Sequence, residues 1–257
     1  MFFDRDLKGF DLPPKTLCLT YDDGPGPDTL ELGRYLFTEG ICATFFVVGR
    51  HAEEQGDVLA RLSAWGHRIG NHTYSHPGLV AVAEAGGDVV GEVARTDALL
   101  RPHVAEGVIF LRAPYGNWRQ KRPGTEQDLD TSLVAEILNR SGRFPDYVGP
   151  VNWDISAADY DYWKHGASAE GCAAAYLDKI SRVGQGIVLM HDGSEEPEVR
   201  ARNRTLQTTR LMVPALRTEG YRFVGLDDVP QVRSAVATCR RRQLISGNWS
   251  GAPEGRQ

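Results

Sequence analysis

Seven short runs rich in β-branched and aromatic residues recur along the chain: TLCLTY, ATFFVVG, HRIGNH, VIFLRA, YVGPVNW, GIVLM and YRFVGL, each bounded by Gly, Pro or Asp. Segments with helical spacing separate them. DTLELGRYLFTEG places Leu30, Arg34 and Phe37 at helical intervals and stops at Gly40, and EEQGDVLARLSAWG stops in the same way at Gly66. Further helices are expected near residues 84–101, 128–140, 168–182 and 203–218. Each strand–helix–strand crossover makes parallel neighbours, so the alternation predicts an α/β fold with a parallel sheet closed, or nearly closed, into a (β/α) barrel. An open doubly wound sheet satisfies the same pattern. Residues 119–147 exceed an ordinary crossover, which predicts an insertion over one rim.

With 257 residues, 41% of them hydrophobic, the chain can bury one sizeable core, and a single domain over 1–238 is expected, with 239–257 a flexible tail. A formal charge of −5 and no long basic run argue against nucleic acid as a partner; CRRRQ near the C-terminus reads as a solvated cluster. No apolar run is long enough to span a membrane. The start, MFFDRDLKGFDLPPK, has acidic residues where a secretory signal carries a basic segment and an apolar core. Cys18, Cys42, Cys172 and Cys239 form no CxxC pair. Both features lead us to expect a cytoplasmic protein.

Placed on this map, Asp22 and Asp23 end the first run, His72 and His76 the third, Arg112 the fourth, Asp154 the fifth, and His191 with Asp192 the sixth. In a parallel barrel the carboxyl ends of the strands form the catalytic face, so these groups converge on one rim. The spacing of His72 and His76 places both imidazoles on one side of a helical turn; taken alone, such a pair is ordinarily a surface or core feature. An Asp from the first run completes a set of two neutral nitrogens and one anionic oxygen, the donor set of a catalytic zinc or a related divalent ion such as Co2+, Ni2+ or Mn2+. The ion would relieve the repulsion between the adjacent Asp22 and Asp23 carboxylates, one binding it and the other left free as a base.

The ordered set TYDDGPG, HTYSH, RAPYG, WDISAADY and LMH resembles the five motifs of the polysaccharide deacetylase family, also called the NodB homology domain or carbohydrate esterase family 4, over residues 16–229. The resemblance implies a distorted (β/α) barrel of about seven strands and metal-dependent removal of acetyl groups from N-acetylated sugars. Motif by motif, Asp22 resembles the family's base, Asp23, His72 and His76 its metal triad, Arg112 the residue that orients the base, and His191 the acid. Tyr115 resembles the residue whose backbone N–H helps hold the oxyanion, and Leu189 the apolar lining of the acetyl pocket. An unsecreted protein of this family favours a chito-oligosaccharide or a small N-acetylated sugar over wall polymers.

The fourth motif departs from the family's pattern: Ser156 stands where an Asp tunes the acid His, and Tyr160 replaces a Trp. On an extended strand Asp154 and Ser156 share a face, so Asp154 is expected to support His191 instead. Asp159 matches the motif's second Asp, with a loop-capping role weighing equally. Trp118, Tyr160, Tyr162 and Trp163 follow the third and fourth motifs, and one or two of them, drawn first from Trp118, Tyr160 and Trp163, are expected to stack on sugar rings. A glycoside hydrolase using paired carboxylates leaves the two His and the Arg without work, and a non-catalytic sugar-binding barrel needs neither acid nor base. O-deacetylation of a carbohydrate ester would use the same groups.

Overall fold

The computed structural model describes residues 1–53, 55–104 and 107–246. Its strands are β1 (Phe2–Leu7), β2 (Thr16–Gly24), β3 (Thr44–Val47), β4 (Arg68–Asn71), β5 (Ile109–Phe110), β6 (Tyr147–Val151), β7 (Gly186–His191) and β8 (Arg222–Phe223). One sheet runs β4–β3–β2–β7 with β8 also against β2, a second runs β1–β6–β5, and every pairing is parallel. Single parallel bridges, Asn71–Leu111 and Ile155–Val188, link the two sheets. The barrel is therefore distorted, and continuous ladders do not close its ring.

The seven anticipated runs all contain strands. β1 was not anticipated, because FFDRDL carries three charges; its middle residues are exposed or half-buried and only Phe2 and Leu7 are buried. In β2 the two-residue period sorts the side chains. Leu17, Leu19 and Tyr21 pack with Leu32, Leu36, Met212 and Val213 of the surrounding helices, whereas Cys18 joins Phe46, Phe110, Val148 and Ile187 in a separate cluster. Burying a side chain such as Leu17 stabilises the fold by about 1.5–3 kcal/mol.

Helices occupy the expected crossovers at Val89–Leu100, Leu133–Arg140, Ala169–Val183 and Thr205–Thr218. Thr29–Thr38 is also helical, but it buries Leu32 and Leu36, leaving Leu30 and Phe37 exposed. The helix Leu133–Arg140 is the ordinary crossover between β5 and β6, so the extra length in 119–147 lies before it, where Arg119 and Lys121 pair with Asp128 and Arg122 with Asp130. The expected tail begins as structure: the helix Pro230–Ser246 continues through 239–246 and buries Cys239, while 247–257 lie outside the described residues. All four cysteines are free thiols.

Candidate metal centre and active site

Asp22 and His191 are register partners on the neighbouring strands β2 and β7, as are Thr20 and Leu189. Two-residue periodicity then sends Thr20 and Asp22 to the same side, and Leu189 and His191 likewise. Arg112, fully buried just after β5, reaches across the barrel to them. Its Nη1 donates to Asp22 Oδ1 at 2.7 Å and to Thr20 Oγ1 at 2.9 Å, its Nε to Val151 O at 3.2 Å, and its guanidinium lies 4.2 Å from the Phe46 ring centroid. One Asp22 oxygen is thus committed to Arg112, and the other, Oδ2, lies 3.7 Å from His72 Nε2.

Asp23 adopts a left-handed φ of 69°, which turns its carboxylate toward the loop after β4. Its Oδ1 lies 3.3 Å from His72 Nε2 and 3.1 Å from His76 Nε2. The two histidines do not sit on a helical turn. His72 follows the end of β4, and left-handed residues at Thr73 (φ 67°) and His76 (φ 60°) bend the chain so that the second ring returns beside the first. Non-glycine residues in this region cost of the order of 1–3 kcal/mol each and persist where the surroundings hold them, commonly at functional sites.

The donor chemistry of this cluster fits a cation. His72 Nδ1 lies 2.8 Å from the carbonyl oxygen of Arg112, which can only accept, so Nδ1 carries a proton and Nε2, turned toward Asp23, is the nitrogen left to bind a cation. Asp23 Oδ1 is buried without a hydrogen-bond donor among the described residues, and one ligand atom from each of Asp23, His72 and His76 lies within 4.8 Å of the others. Three lone pairs facing one another need a positive charge between them. Burial opposes the Asp23 charge; with no cation between them, Nε2 protons on His72 and His76 donated to Asp23 would do the same work, holding its carboxyl well below the usual carboxylate range. His72 has the outer partner expected of a ligand; His76 Nδ1 has no hydrogen-bond partner among the described residues.

The support for His191 differs from expectation. Asp159, fully buried, accepts from His191 Nδ1 at 2.7 Å through Oδ1 and from the His191 backbone N–H at 2.7 Å through Oδ2. Burial disfavours the imidazolium, yet the Asp159 charge and hydrogen bond, with Asp23 and Asp22 behind them, push its pKa up to about 10. Asp154 does not reach His191. Its Oδ2 accepts from the backbone N–H of Gly9 and of Ile187, both at 2.8 Å, tying the loop after β1 to β7. Asp154 is therefore structural. Replacing it with Ala lowers stability by about 1.5–3 kcal/mol, the worth of hydrogen bonds to a charged acceptor, and leaves the pH dependence of turnover in place. Denaturant melts alongside pH–rate profiles check both halves.

The cleft over these groups has a volume of about 440 Å³ and is lined by Asp22, Asp23, His72, His76, Leu189 and His191 with Tyr115, Trp153, Ser156 and Tyr160 on its walls. Tyr115 is 73% exposed, has a left-handed φ of 60° and stands edge-on to His76, with ring centroids 4.7 Å apart. Tyr160 is also exposed and packs edge-on to His191. Two of the expected sugar contacts are core residues instead. Trp118 is buried and its indole N–H donates to Phe3 O at 2.8 Å, and Trp163 is fully buried in the helix-facing core. Large aromatic rings near a rim serve packing as readily as binding. Trp153, not anticipated as a cleft residue, lines the cleft, and so do Lys164 and Ser194 to Glu196. The acidic pair Glu195–Glu196, one residue beyond His191-Asp192-Gly193, was the signal available for the last of these.

The chain matches the family model described as polysaccharide deacetylase over residues 10–132. It is 31% identical over 225 residues to a chitooligosaccharide deacetylase of Rhizobium leguminosarum bv. trifolii, covering 84% of this chain and 91% of that protein. The chain belongs to the polysaccharide deacetylase family. A peptidoglycan-N-acetylglucosamine deacetylase of Bacillus cereus is 29% identical over 221 residues, covering 84% of this chain and 68% of the other. Among solved structures, the polysaccharide deacetylase Bc1974 from Bacillus cereus superposes with a TM-score of 0.61 at 26% identity, covering 83% of this chain and 92% of that one. Among the described residues no helix is long and apolar enough to cross a membrane.

Proposed function

We propose that this polysaccharide deacetylase hydrolyses the acetamido group of an N-acetylated sugar, with a divalent ion, in the first instance zinc, held by Asp23, His72 and His76. The observation that carries the reading is the placement of two differently partnered acid–base groups, Asp22 on Arg112 and His191 on Asp159, beside that triad in one cleft. When bound, the ion supplies Lewis acidity to the acetyl carbonyl and to the attacking water. Asp22 Oδ2 takes the proton from water, while Arg112 fixes the carboxylate through Oδ1. The backbone N–H of Tyr115 supplies a donor to the oxygen that becomes negative as the carbonyl turns tetrahedral. His191, protonated at Nε2 because Asp159 holds Nδ1–H, gives its proton to the departing nitrogen. Leu189 borders the acetyl methyl, and Trp153, Tyr115 and Tyr160 offer ring faces to the C–H surfaces of a sugar.

The relatives' names support an N-acetylglucosamine-containing oligomer or polymer as substrate, and a small N-acetylated sugar is the alternative to it. The test is acetate release from chito-oligosaccharides and N-acetylated monosaccharides by protein of defined metal content. Chelation abolishes release and added zinc restores it, whereas the His72→Ala/His76→Ala double variant stays inactive and metal-free. Full metal occupancy in that double variant would remove the assigned site.

A further inference from the structure

Behind the metal ligands lies a polar chain that the deacetylation scheme does not use. His51, on the short helix Gly49–Glu53 after β3, is buried, and its Nδ1 lies 2.8 Å from the backbone carbonyl oxygen of Asp23. A carbonyl can only accept, so Nδ1 carries the proton and donates it. The ring's other nitrogen, Nε2, lies 3.4 Å from Glu195 Oε1, and Glu195 is also ion-paired to Arg50. Glu195 belongs to the loop that follows His191 and lines the cleft. The Asp23 carbonyl is enclosed on its other side: a Cβ at Gly193 would stand 2.0 Å from it, so only glycine fits there.

The peptide fixed in this way follows a residue at φ 69°, a conformation that a side chain such as Asp adopts only when its surroundings impose it. Relaxation of Asp23 from this φ would swing its carboxylate off His72 and His76, and the bond to its carbonyl holds the residue against that change. We propose that His51 is a positioning residue of the metal centre: its Nδ1–H clamps the Asp23 carbonyl and so holds the ligand carboxylate on the two imidazoles. This inference rests on the metal-site reading above.

Two polar replacements separate the clamp from mere filling of space. In His51→Asn the amide nitrogen falls near the position of Nδ1, whereas in His51→Gln it falls near Nε2 and leaves the Asp23 carbonyl without its donor. Zinc affinity is measured by competition with a chromophoric chelator, and the Co2+-substituted proteins are compared by visible absorption. His51→Gln is expected to bind zinc about 10–100-fold more weakly, with an altered Co2+ spectrum, while His51→Asn stays near the wild-type affinity and spectrum. Wild-type affinity in His51→Gln, or equal weakening in both variants, overturns the clamp. A wild-type protein that takes up neither ion would instead remove the metal-site reading, and the clamp with it.

Discussion

Asp22→Asn retains the divalent ion and loses about 10²–10⁴-fold in turnover, the usual contribution of a positioned general base. The reason is the division of labour between adjacent carboxylates. Arg112 holds Asp22 Oδ1 at 2.7 Å, leaving Oδ2 for a proton, whereas Asp23 Oδ1 sits between the His72 and His76 nitrogens. An amide at position 22 still accepts from Arg112 through its oxygen but offers no basic lone pair on the other arm. Asp23→Asn instead removes an anionic ligand, so its protein is isolated with less metal and recovers only in part when zinc is added. Metal content by elemental analysis and turnover at saturating zinc distinguish the two. Equal metal loss in both variants would show that Asp22 is a ligand as well.

The second large effect is on pH. His191 must be protonated to serve the leaving nitrogen, so activity on the alkaline side falls as pH rises through its pKa. Asp159 raises that pKa by its charge and by the 2.7 Å hydrogen bond to Nδ1, against the opposing effect of burial. Asp159→Asn removes the charge. The pKa drops, the alkaline limb of kcat/KM begins at lower pH, and turnover at neutral pH falls by about 10²-fold as the acid loses its proton and its orientation. Metal content is unchanged, since Asp159 contacts no ligand of the triad among the described residues. Asp154→Asn, the alternative suggested by strand periodicity, leaves the limb where it is. A wild-type profile in Asp159→Asn would sink the assignment.

Much of this architecture can be read in one dimension because it depends on periodicity and order. Seven apolar runs alternating with helical segments define a parallel α/β fold, and the position of Asp22, Asp23, His72, Arg112 and His191 at the ends of those runs places them on one rim. That placement supplies two histidines and a carboxylate for one ion, whereas the choice of Asp23 as the ligand and the pairing of Arg112 with Asp22 came with the family resemblance. β1 was hidden because its exposed Asp4 and Arg5 and half-buried Asp6 mask a strand paired through its backbone to β6. Beyond the strand ends the two-residue rule loses its hold. Ladder pairing of β6 ends at Val151, and the left-handed Ala158 (φ 54°) turns the chain so that Asp159 meets His191 while Asp154 caps Gly9 and Ile187. The same limit applies to Trp118 and Trp163, whose burial is set by β1 and by the helix-facing core, and to His51, whose bond to the Asp23 carbonyl spans 28 positions. Sequence alone determined which chemistry the strand ends can assemble, since residue type and spacing within an element are local properties. The tertiary structure decided which carboxylate tunes the acid and what fixes the metal ligand, because loop direction depends on left-handed turns and contacts between segments far apart in the chain.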